Sequence, residues 1–372
     1  MKVVPVNRPL IKGNELKYVS KVIKSGWISA DGHYVKKFEK KFSKYIKRKF
    51  SVAVSSGTAA LDIAFKSINL KPEDEVIVPA FTIISCLNQI VRMGAKPVLV
   101  DADPKTFNID INQLKKKITK KTKAILIVHI YGLPVDIDEI LKITKKKKIY
   151  IIEDAAEQLG QTYKDKPIGS FGDISTFSFF ANKHITTGEG GMIATNNKLL
   201  SKKFLVLRNL SFQINKQKFI HDELGWNYRM TSMQAAFGLA QLENIKHFIK
   251  KKRMIGNFYN KELKFLRSVQ LPLKKNNFAE NIYWIYSILL KNKKDKAKYY
   301  IRLLKKNGIE ARPFFCPMHL QPIFKKMKLF KKVEKFPVSE MLFEKGFYIP
   351  SGLGTTQKEL QITVKKLLKI LE

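Results

Sequence analysis

Short apolar runs alternate with amphipathic stretches over the first half of the chain. The runs at residues 75–78, 97–100 and 124–129 are almost wholly apolar, as strands are when helices cover both faces of a parallel sheet. The stretches between them repeat apolar residues at helical spacing. Predicted strands lie at residues 51–55, 75–78, 97–100, 124–129, 149–153 and 174–180, and predicted helices at 58–68, 82–93 and 137–144. This alternation predicts an α/β fold with a mostly parallel sheet flanked by helices.

The pattern changes after residue 227. Two long helices are predicted at residues 232–249 and 252–266, and a strand-rich segment at 282–290 follows them. Further helices are predicted at 297–306 and 358–371. We therefore expect a large domain over residues 1–240 and a smaller C-terminal α+β domain over residues 241–372.

The composition is that of a globular protein. The chain has 372 residues, of which 45% are hydrophobic, so it can bury a large core. Its two cysteines, Cys86 and Cys316, are too few for a disulfide framework or a structural metal site. The sequence has no apolar run of about 18 residues and no signal-peptide layout at its N-terminus, so we expect no membrane insertion and a cytoplasmic location.

The net charge of +39 would suit a protein that binds nucleic acid or another polyanion. The excess, however, is almost entirely lysine, whereas readers of phosphates and bases favour arginine. The lysines also fill solvent-facing positions, as around the stripe formed by Val35, Phe38 and Phe42. We therefore expect a basic surface without a nucleic-acid partner, and a polyanion-binding protein is the non-enzymatic alternative.

Three segments place polar side chains just beyond predicted strands. Ser56-Gly57-Thr58 lies at a strand-to-helix junction, where glycine permits close approach and the helix N-terminus attracts anions. Asp154 follows a buried strand, at the edge where open α/β sheets bind ligands. Lys183 follows the strand that carries Ser178 and precedes a glycine-rich turn at 188–191. Taken singly, these residues could be a helix cap, a capping aspartate and a solvated lysine.

Taken together, the three segments supply what pyridoxal 5'-phosphate requires of a protein. The junction offers a cup for the phosphate, Asp154 a carboxylate that keeps the pyridine nitrogen protonated, and Lys183 an amine that forms a Schiff base. The sequence therefore predicts a pyridoxal phosphate pocket at the carboxyl edge of the sheet.

The chain also resembles the DegT/StrS sugar aminotransferase family, which is of fold type I. The resemblance covers nearly its whole length, through the segments GWIS, SGTAAL, IEDAA, FSFFANK, ITTGEGGM, GWNYRM and PMH. It implies a pyridoxal-phosphate-dependent transferase that moves the amino group of L-glutamate to a nucleotide-linked 4-keto-6-deoxy sugar. The first expectation is conversion of GDP-4-keto-6-deoxymannose to GDP-perosamine for a surface polysaccharide of the O-antigen type. A UDP- or dTDP-linked keto sugar is the alternative.

The resemblance assigns roles to individual positions. Lys183 would carry the cofactor and move protons, and Asp154 would pair with the pyridine nitrogen. The phosphate would be held by Ser56, Gly57, Thr58 and Ser178. Asn227 would reach the cofactor phosphate of the neighbouring subunit, so a homodimer with shared active sites is implied. Glu157 would face the phenolic oxygen of the cofactor.

One cofactor-binding position departs from the family pattern. The family usually has an aromatic residue on the face of the cofactor ring, but here the sequence Pro-Ala-Phe-Thr-Ile places Ile83 at that position. Either Ile83 covers the ring by dispersion alone, or Phe81 turns in to replace the aromatic residue.

The resemblance also suggests substrate-binding residues, with alternatives. These are Trp27, Ser29, Arg229 and His319. Trp27 could instead be a core anchor, Arg229 an interface brace and His319 an ordinary surface histidine.

His184 requires separate comment because some relatives replace the reactive lysine with histidine and act as sugar dehydratases. The register of Asn182-Lys183 before Ile-Thr-Thr-Gly-Glu-Gly places the lysine at the Schiff-base position. We therefore expect an aminotransferase, in which His184 is a bystander.

Overall fold

The structure is a computed structural model that describes residues 3–213, 217, 219–292, 294–330 and 334–371. Its strands are β1 (Phe50–Val54), β2 (Glu75–Pro79), β3 (Lys96–Val100), β4 (Thr122–Val128), β5 (Tyr150–Asp154), β6 (Thr162–Tyr163), β7 (Lys166–Pro167), β8 (Ile174–Ser178), β9 (Gly191–Thr195), β10 (Val269–Gln270), β11 (Tyr286–Leu290), β12 (Arg312–Pro313) and β13 (Gly346–Ile349). Its helices are α1 (Glu15–Ser25), α2 (His33–Tyr45), α3 (Gly57–Ser67), α4 (Ser85–Arg92), α5 (Ile111–Lys117), α6 (Ile137–Thr144), α7 (Lys198–Arg208), α8 (Ser232–Glu243), α9 (Ile245–Glu262), α10 (Ala297–Lys306), α11 (Pro322–Lys326), α12 (Pro337–Lys345) and α13 (Gln357–Leu371).

A seven-stranded sheet in the order β1-β9-β8-β5-β4-β2-β3 forms the centre of the molecule. Neighbouring strands from β8 to β3 run parallel, and β9 runs antiparallel to both β8 and β1. The predicted mostly parallel sheet is therefore confirmed. The strand β9 was absent from the sequence prediction because its first residue, Gly191, belongs to the glycine-rich turn.

The core explains why the strands read as nearly continuous apolar runs. On β9, Ile193 packs into the cluster with Phe65 and Leu126 on one face of the sheet. Its neighbour Met192 packs with Phe42 into the cluster on the opposite face. Because helices cover both faces, neither set of alternate side chains needs to be polar.

One helix prediction was wrong. The continuous helix expected over residues 232–249 is interrupted at Asn244, which ends α8 and precedes α9 with φ −100° and ψ 4°. The helix expected over 252–266 begins earlier, as part of α9. The apolar spacing did not reveal the break because Leu242, Ile245 and Phe248 all contribute to one core cluster across it.

A second, antiparallel sheet in the order β10-β11-β13-β12 lies in the C-terminal part. Its core includes residues of α9, α10 and α13, together with Val4 from the start of the chain. Val4 also forms an isolated parallel bridge with Ile309. The N-terminal segment thus packs on the C-terminal sheet, and the boundary at residue 240 stays a prediction.

Candidate active site

The polar residues predicted beyond three strands line one pocket. The Ser56-Gly57-Thr58 segment follows β1, Asp154 ends β5, Ser178 ends β8, and Lys183 lies five residues further on. The pocket measures about 370 Å³, which lies within the range of small-molecule sites. It opens at the carboxyl ends of parallel strands, where open α/β sheets bind ligands.

The Ser56-Gly57-Thr58 segment forms the start of α3. The Ser56 side chain accepts a hydrogen bond from the backbone N–H of Ala59 at 3.0 Å, and so caps the helix. A Cβ atom on Gly57 would lie 2.8 Å from the Cβ of Ser178, so only glycine allows this close approach. The Thr58 hydroxyl lies 2.9 Å from that of Ser85. Hydroxyl groups and a helix N-terminus therefore form a cup that suits an anion.

Two adjacent carboxylates at the end of β5 have different environments. Glu153 is buried away from the pocket, where it accepts hydrogen bonds from the backbone N–H groups of Gly169, Phe171 and Gly172. Its Oε1 also lies 3.3 Å from Nε2 of His129. Burial by itself would raise the pKa of Glu153, but these partners lower it below its usual value.

Asp154 lines the pocket. Its Oδ1 accepts a hydrogen bond from the Ala156 N–H at 3.0 Å, and its Oδ2 lies 3.6 Å from the Cys86 thiol. Burial raises the pKa of Asp154, while the Ala156 N–H and the charge of Lys183 oppose the rise. A buried carboxylate in this setting would be stabilised by a cationic partner in the pocket.

Glu157 lies in the same pocket, one turn beyond Asp154. Its Oε2 accepts a hydrogen bond from the backbone N–H of Tyr131 at 2.9 Å. Burial raises the pKa of Glu157 to about 8, against the opposing effects of Lys183 and the Tyr131 N–H. The raised pKa favours the protonated carboxyl group of Glu157, which can donate a hydrogen bond.

Lys183 lies in the loop between β8 and β9, and a hydrogen bond joins the two ends of this loop. The Phe179 N–H donates to the carbonyl of Gly190 at 2.8 Å, and Gly188 and Gly190 adopt positive φ angles of 78° and 156°. The Lys183 Nζ lies 4.0 Å from the centroid of the Trp284 ring. Burial lowers the pKa of Lys183, and the carboxylates of Glu157 and Asp154 oppose the shift. A lowered pKa increases the fraction of neutral amine, which is the nucleophilic form.

The pocket fits pyridoxal phosphate by its own donor set. It combines an anion cup at the start of α3 with a buried carboxylate on Asp154 and an amine on Lys183. These are the groups that would hold a phosphate, a pyridinium nitrogen and an aldehyde carbon, respectively.

The structure also decides between the two residues considered for the ring face. Phe81 is fully buried and packs against Tyr131, Phe314 and Phe315. Ile83 lines the pocket and is 44% exposed. The alternative in which Phe81 replaces the aromatic residue is therefore wrong in this structure.

The other predicted residues do not line the pocket of their own chain. Trp27 is 64% exposed, so its interpretation as a core anchor is wrong, and Ser29 and Asn227 are also exposed. Arg229 donates a hydrogen bond to Asn209. His319 is held by Glu340, with 2.9 Å between Nε2 and Oε1. The roles in substrate binding predicted for Trp27, Ser29, Arg229 and His319, and the role in cofactor binding predicted for Asn227, stay predictions.

Sequence reasoning missed the wall of the pocket that comes from the C-terminal part. Trp284, Phe315 and Tyr348 line this wall opposite the sheet edge. Trp284 precedes β11 and Tyr348 lies on β13, in segments without a local motif. The available signal was the aromatic enrichment of these segments, which does not distinguish a pocket wall from a core.

The sheet topology and this pocket define a pyridoxal-phosphate-dependent transferase of fold type I. The sequence profile of the DegT/DnrJ/EryC1/StrS aminotransferase family matches residues 9–368. The chain belongs to this family. The predicted fold class, enzyme class and cofactor are thereby confirmed.

Individual relatives agree with this assignment. GDP-perosamine synthase of Escherichia coli O157:H7 is 41% identical over 351 residues, which cover 94% of each chain. Spr1654 of Streptococcus pneumoniae, described as a sugar aminotransferase and solved in its PMP form, superposes with a TM-score of 0.91 at 26% identity, covering 99% of this chain and 97% of its own. The E. coli GDP-4-keto-6-deoxy-D-mannose-3-dehydratase with bound hydrated PLP gives a TM-score of 0.90 at 28% identity, covering 99% of this chain and all of its own.

The described residues contain neither a membrane-spanning helix nor a cluster of metal ligands. None of their helices is both long and apolar enough to cross a membrane. No group of three or more His, Cys, Asp or Glu side chains within the described ranges is arranged to hold a metal ion.

Proposed function

We propose that this chain transfers the amino group of L-glutamate to the 4-keto group of a GDP-linked 4-keto-6-deoxy sugar, giving a GDP-linked 4-amino sugar such as GDP-perosamine. The observation that carries the chemistry is the convergence of Lys183, Asp154 and the α3 cup on one pocket. The similarity to GDP-perosamine synthase over nearly the whole chain supports the choice of substrate.

Each pocket residue has a defined task in this reaction. When bound, pyridoxal phosphate supplies an electron sink for the carbon that bears the amine. Lys183 moves the proton at that carbon, and its lowered pKa favours the neutral amine that acts as the base. Asp154 would keep the pyridine nitrogen protonated, and Glu157 would donate a hydrogen bond to the phenolic oxygen. Thr58 and Ser178 would bind the phosphate beside the helix N-terminus.

The position of His184 favours transamination over dehydration. Lys183 lines the main pocket, whereas His184 is only 2% exposed and is not one of the residues that line it. The lysine and not the histidine therefore lines the main pocket, which supports the register predicted from the sequence. Reduction with borohydride in the presence of pyridoxal phosphate should fix the cofactor on Lys183, as detected by peptide mass spectrometry. Cofactor that stays unattached to any lysine would contradict this proposal.

A homodimer would complete the active site. Trp27, Ile28 and Phe180 are apolar side chains that are between 45% and 64% exposed in the single chain. Asn227 is exposed and therefore available to a second copy. Mixing inactive Lys183→Ala and Asn227→Ala proteins tests the shared site, because half of the randomly exchanged dimers then contain one intact site. We expect recovery of roughly a quarter of wild-type activity, whereas no recovery would contradict sharing.

The nucleotide is tested with a panel of 4-keto-6-deoxy sugars linked to GDP, UDP and dTDP, with L-glutamate as donor. We expect amine formation with the GDP-linked sugar at the highest kcat/KM. A preference for the UDP- or dTDP-linked sugar would agree with the proposed amino transfer and contradict only the choice of GDP as the nucleotide. If pyridoxal phosphate is not bound and DNA binding is strongly salt-dependent, the chain would instead be a polyanion binder that uses its basic surface.

A further inference from the structure

A second, much smaller cavity adjoins Lys183. It measures about 10 Å³ and shares Asn182, Lys183 and Trp284 with the main pocket. Its remaining wall includes His184 and Lys252. We call this space the inner cavity. Its volume matches the room that a single water molecule needs.

Three buried side-chain atoms of residues that line the inner cavity have no hydrogen bond of good geometry within the described residues. They are Nδ1 and Nε2 of His184 and Oδ1 of Asn182. His184 is 2% exposed, so bulk solvent does not reach its ring. Because buried polar groups in native proteins are almost always paired, the Asn182 oxygen and the His184 nitrogen that does not interact with the Ile282 backbone require a partner.

The charge state of His184 defines what that partner must do. Burial lowers the pKa of His184 well below its usual value, and the charges of Lys252 and Lys183 lower it further, against a smaller opposing effect of the Ile282 backbone. A neutral imidazole has one nitrogen that donates and one that accepts. The lowered pKa favours the neutral ring, so one nitrogen of His184 can accept a hydrogen bond.

Lys252 supplies a donor at the same place. It is 3% exposed, and its Nζ donates to the carbonyls of Trp284 at 2.9 Å and Ser351 at 2.5 Å. In its protonated form Lys252 has three N–H donors, so one is left after these two bonds.

We propose that the inner cavity binds one ordered water molecule. The water accepts a hydrogen bond from Lys252 and donates to Oδ1 of Asn182 and to the acceptor nitrogen of His184. This arrangement pairs the Asn182 oxygen, one ring nitrogen and the third lysine donor with a single molecule that fits the space.

The water site has a consequence for Lys183 because its ligands flank that residue. Asn182 and His184 are its chain neighbours, and Lys252 fixes the backbone of Trp284. Trp284 in turn donates from Nε1 to the Asn182 carbonyl at 3.0 Å and covers the Lys183 amine with its ring. His184 and Lys252 are thus positioning residues for Lys183, an inference that rests on the role proposed above for this lysine.

A high-resolution crystal structure tests the water directly. We expect one ordered water within hydrogen-bond distance of His184, Asn182 and Lys252. A dry cavity would overturn the proposal.

The positioning role needs a readout other than turnover. Cofactor-free protein is mixed with pyridoxal phosphate and reduced with borohydride, and the labelling of Lys183 is followed by mass spectrometry against cofactor concentration. We expect His184→Phe and Lys252→Met to need about tenfold more cofactor for half-maximal labelling, the worth of one or two hydrogen bonds. His184→Asn or His184→Gln, which place an amide near Nδ1 or Nε2, should restore labelling to within about threefold.

A control variant and the pattern of labelling distinguish a failure of the positioning role from a failure of the proposed function. Lys250→Met alters an exposed lysine of the same helix and should label like wild type. If wild-type Lys183 is not labelled at all, the proposed function fails. If wild type is labelled and His184→Phe matches it, with the same melting temperature in both, only the positioning role fails. If no amide variant at position 184 labels better than His184→Phe, the ring acts through packing and the water proposal is wrong.

Discussion

The two sides of the main pocket differ in how the chain builds them. On the sheet side, Ser56, Asp154 and Ser178 follow or end strands of one sheet and meet within a single chain. On the predicted substrate side, Trp27 and Ser29 are exposed and do not line that pocket. Strand ends of one sheet are brought together by its topology alone, whereas the substrate residues would require a second copy or a bound ligand.

The largest expected effect tests the centre of the sheet side. Lys183→Ala should lower kcat by about a thousandfold or more, because the base for proton transfer and the covalent anchor are both lost. Activity measured with L-glutamate and the GDP-linked keto sugar reports this loss, and borohydride labelling at position 183 should vanish with it. Labelling of another lysine to the wild-type level would contradict the assignment.

Substitutions of the two carboxylates at the end of β5 should affect different properties, catalysis at Asp154 and stability at Glu153. Asp154→Asn should lower kcat by about a hundredfold with little change in melting temperature, because it removes an electrostatic contact to the cofactor. Glu153→Gln should instead lower the free energy of unfolding by about 3 kcal/mol, since a buried, hydrogen-bonded charge is disrupted. Kinetics and urea denaturation of both variants measure the contrast, and equal effects on kcat would break it.

The substrate side is tested at its most exposed aromatic residue. Trp27→Ala should raise KM for the nucleotide sugar about tenfold, because an exposed tryptophan at a recognition surface contributes much of the contact energy. Borohydride labelling of Lys183 should not change, since Trp27 does not line the cofactor pocket. Unchanged KM would place the nucleotide elsewhere.

A buried and an exposed lysine on α9 provide a comparison in pH. Burial lowers the pKa of Lys252 to about 7, below its usual value of 10.5, so the folded state binds fewer protons than the unfolded state between these limits. This lysine's contribution to stability is therefore fully present above about pH 10.5 and is lost as the pH falls through 7. Its slope is at most about 1.4 kcal/mol per pH unit.

Urea denaturation at several pH values between 7 and 10 measures this slope. Lys252→Met should remove it, and the exposed Lys250→Met should keep it. The same slope in wild type and Lys252→Met would show that Lys252 keeps its usual pKa.

The smallest expected effect concerns the ring face. Ile83→Phe should tighten cofactor binding by between about twofold and tenfold, because an aromatic contact adds about 0.5–1.5 kcal/mol beyond area burial. Equilibrium titration of cofactor-free protein with pyridoxal phosphate measures the change. Weaker binding would mean that the pocket is shaped around isoleucine.

Much of the fold followed from apolar spacing, and its failures have physical causes. The parallel strands were predicted because both of their faces are buried. The break at Asn244 was missed because the apolar stripe continues through it, and β9 was missed because its start lies in the glycine turn. Within the pocket, Trp284 and Tyr348 were missed because no local pattern distinguishes an aromatic wall from a core.

The sequence by itself determined the alternation of strands and helices, the residues at the strand ends and the chemical class, because short-range spacing and local motifs encode them. Only the tertiary structure decided what those residues meet. It turned Glu153 away from the pocket and Asp154 into it, buried Phe81, and placed Trp284 over Lys183. It also gave His184 and Lys252 a shared cavity across 68 residues of chain, a proximity set by long-range packing.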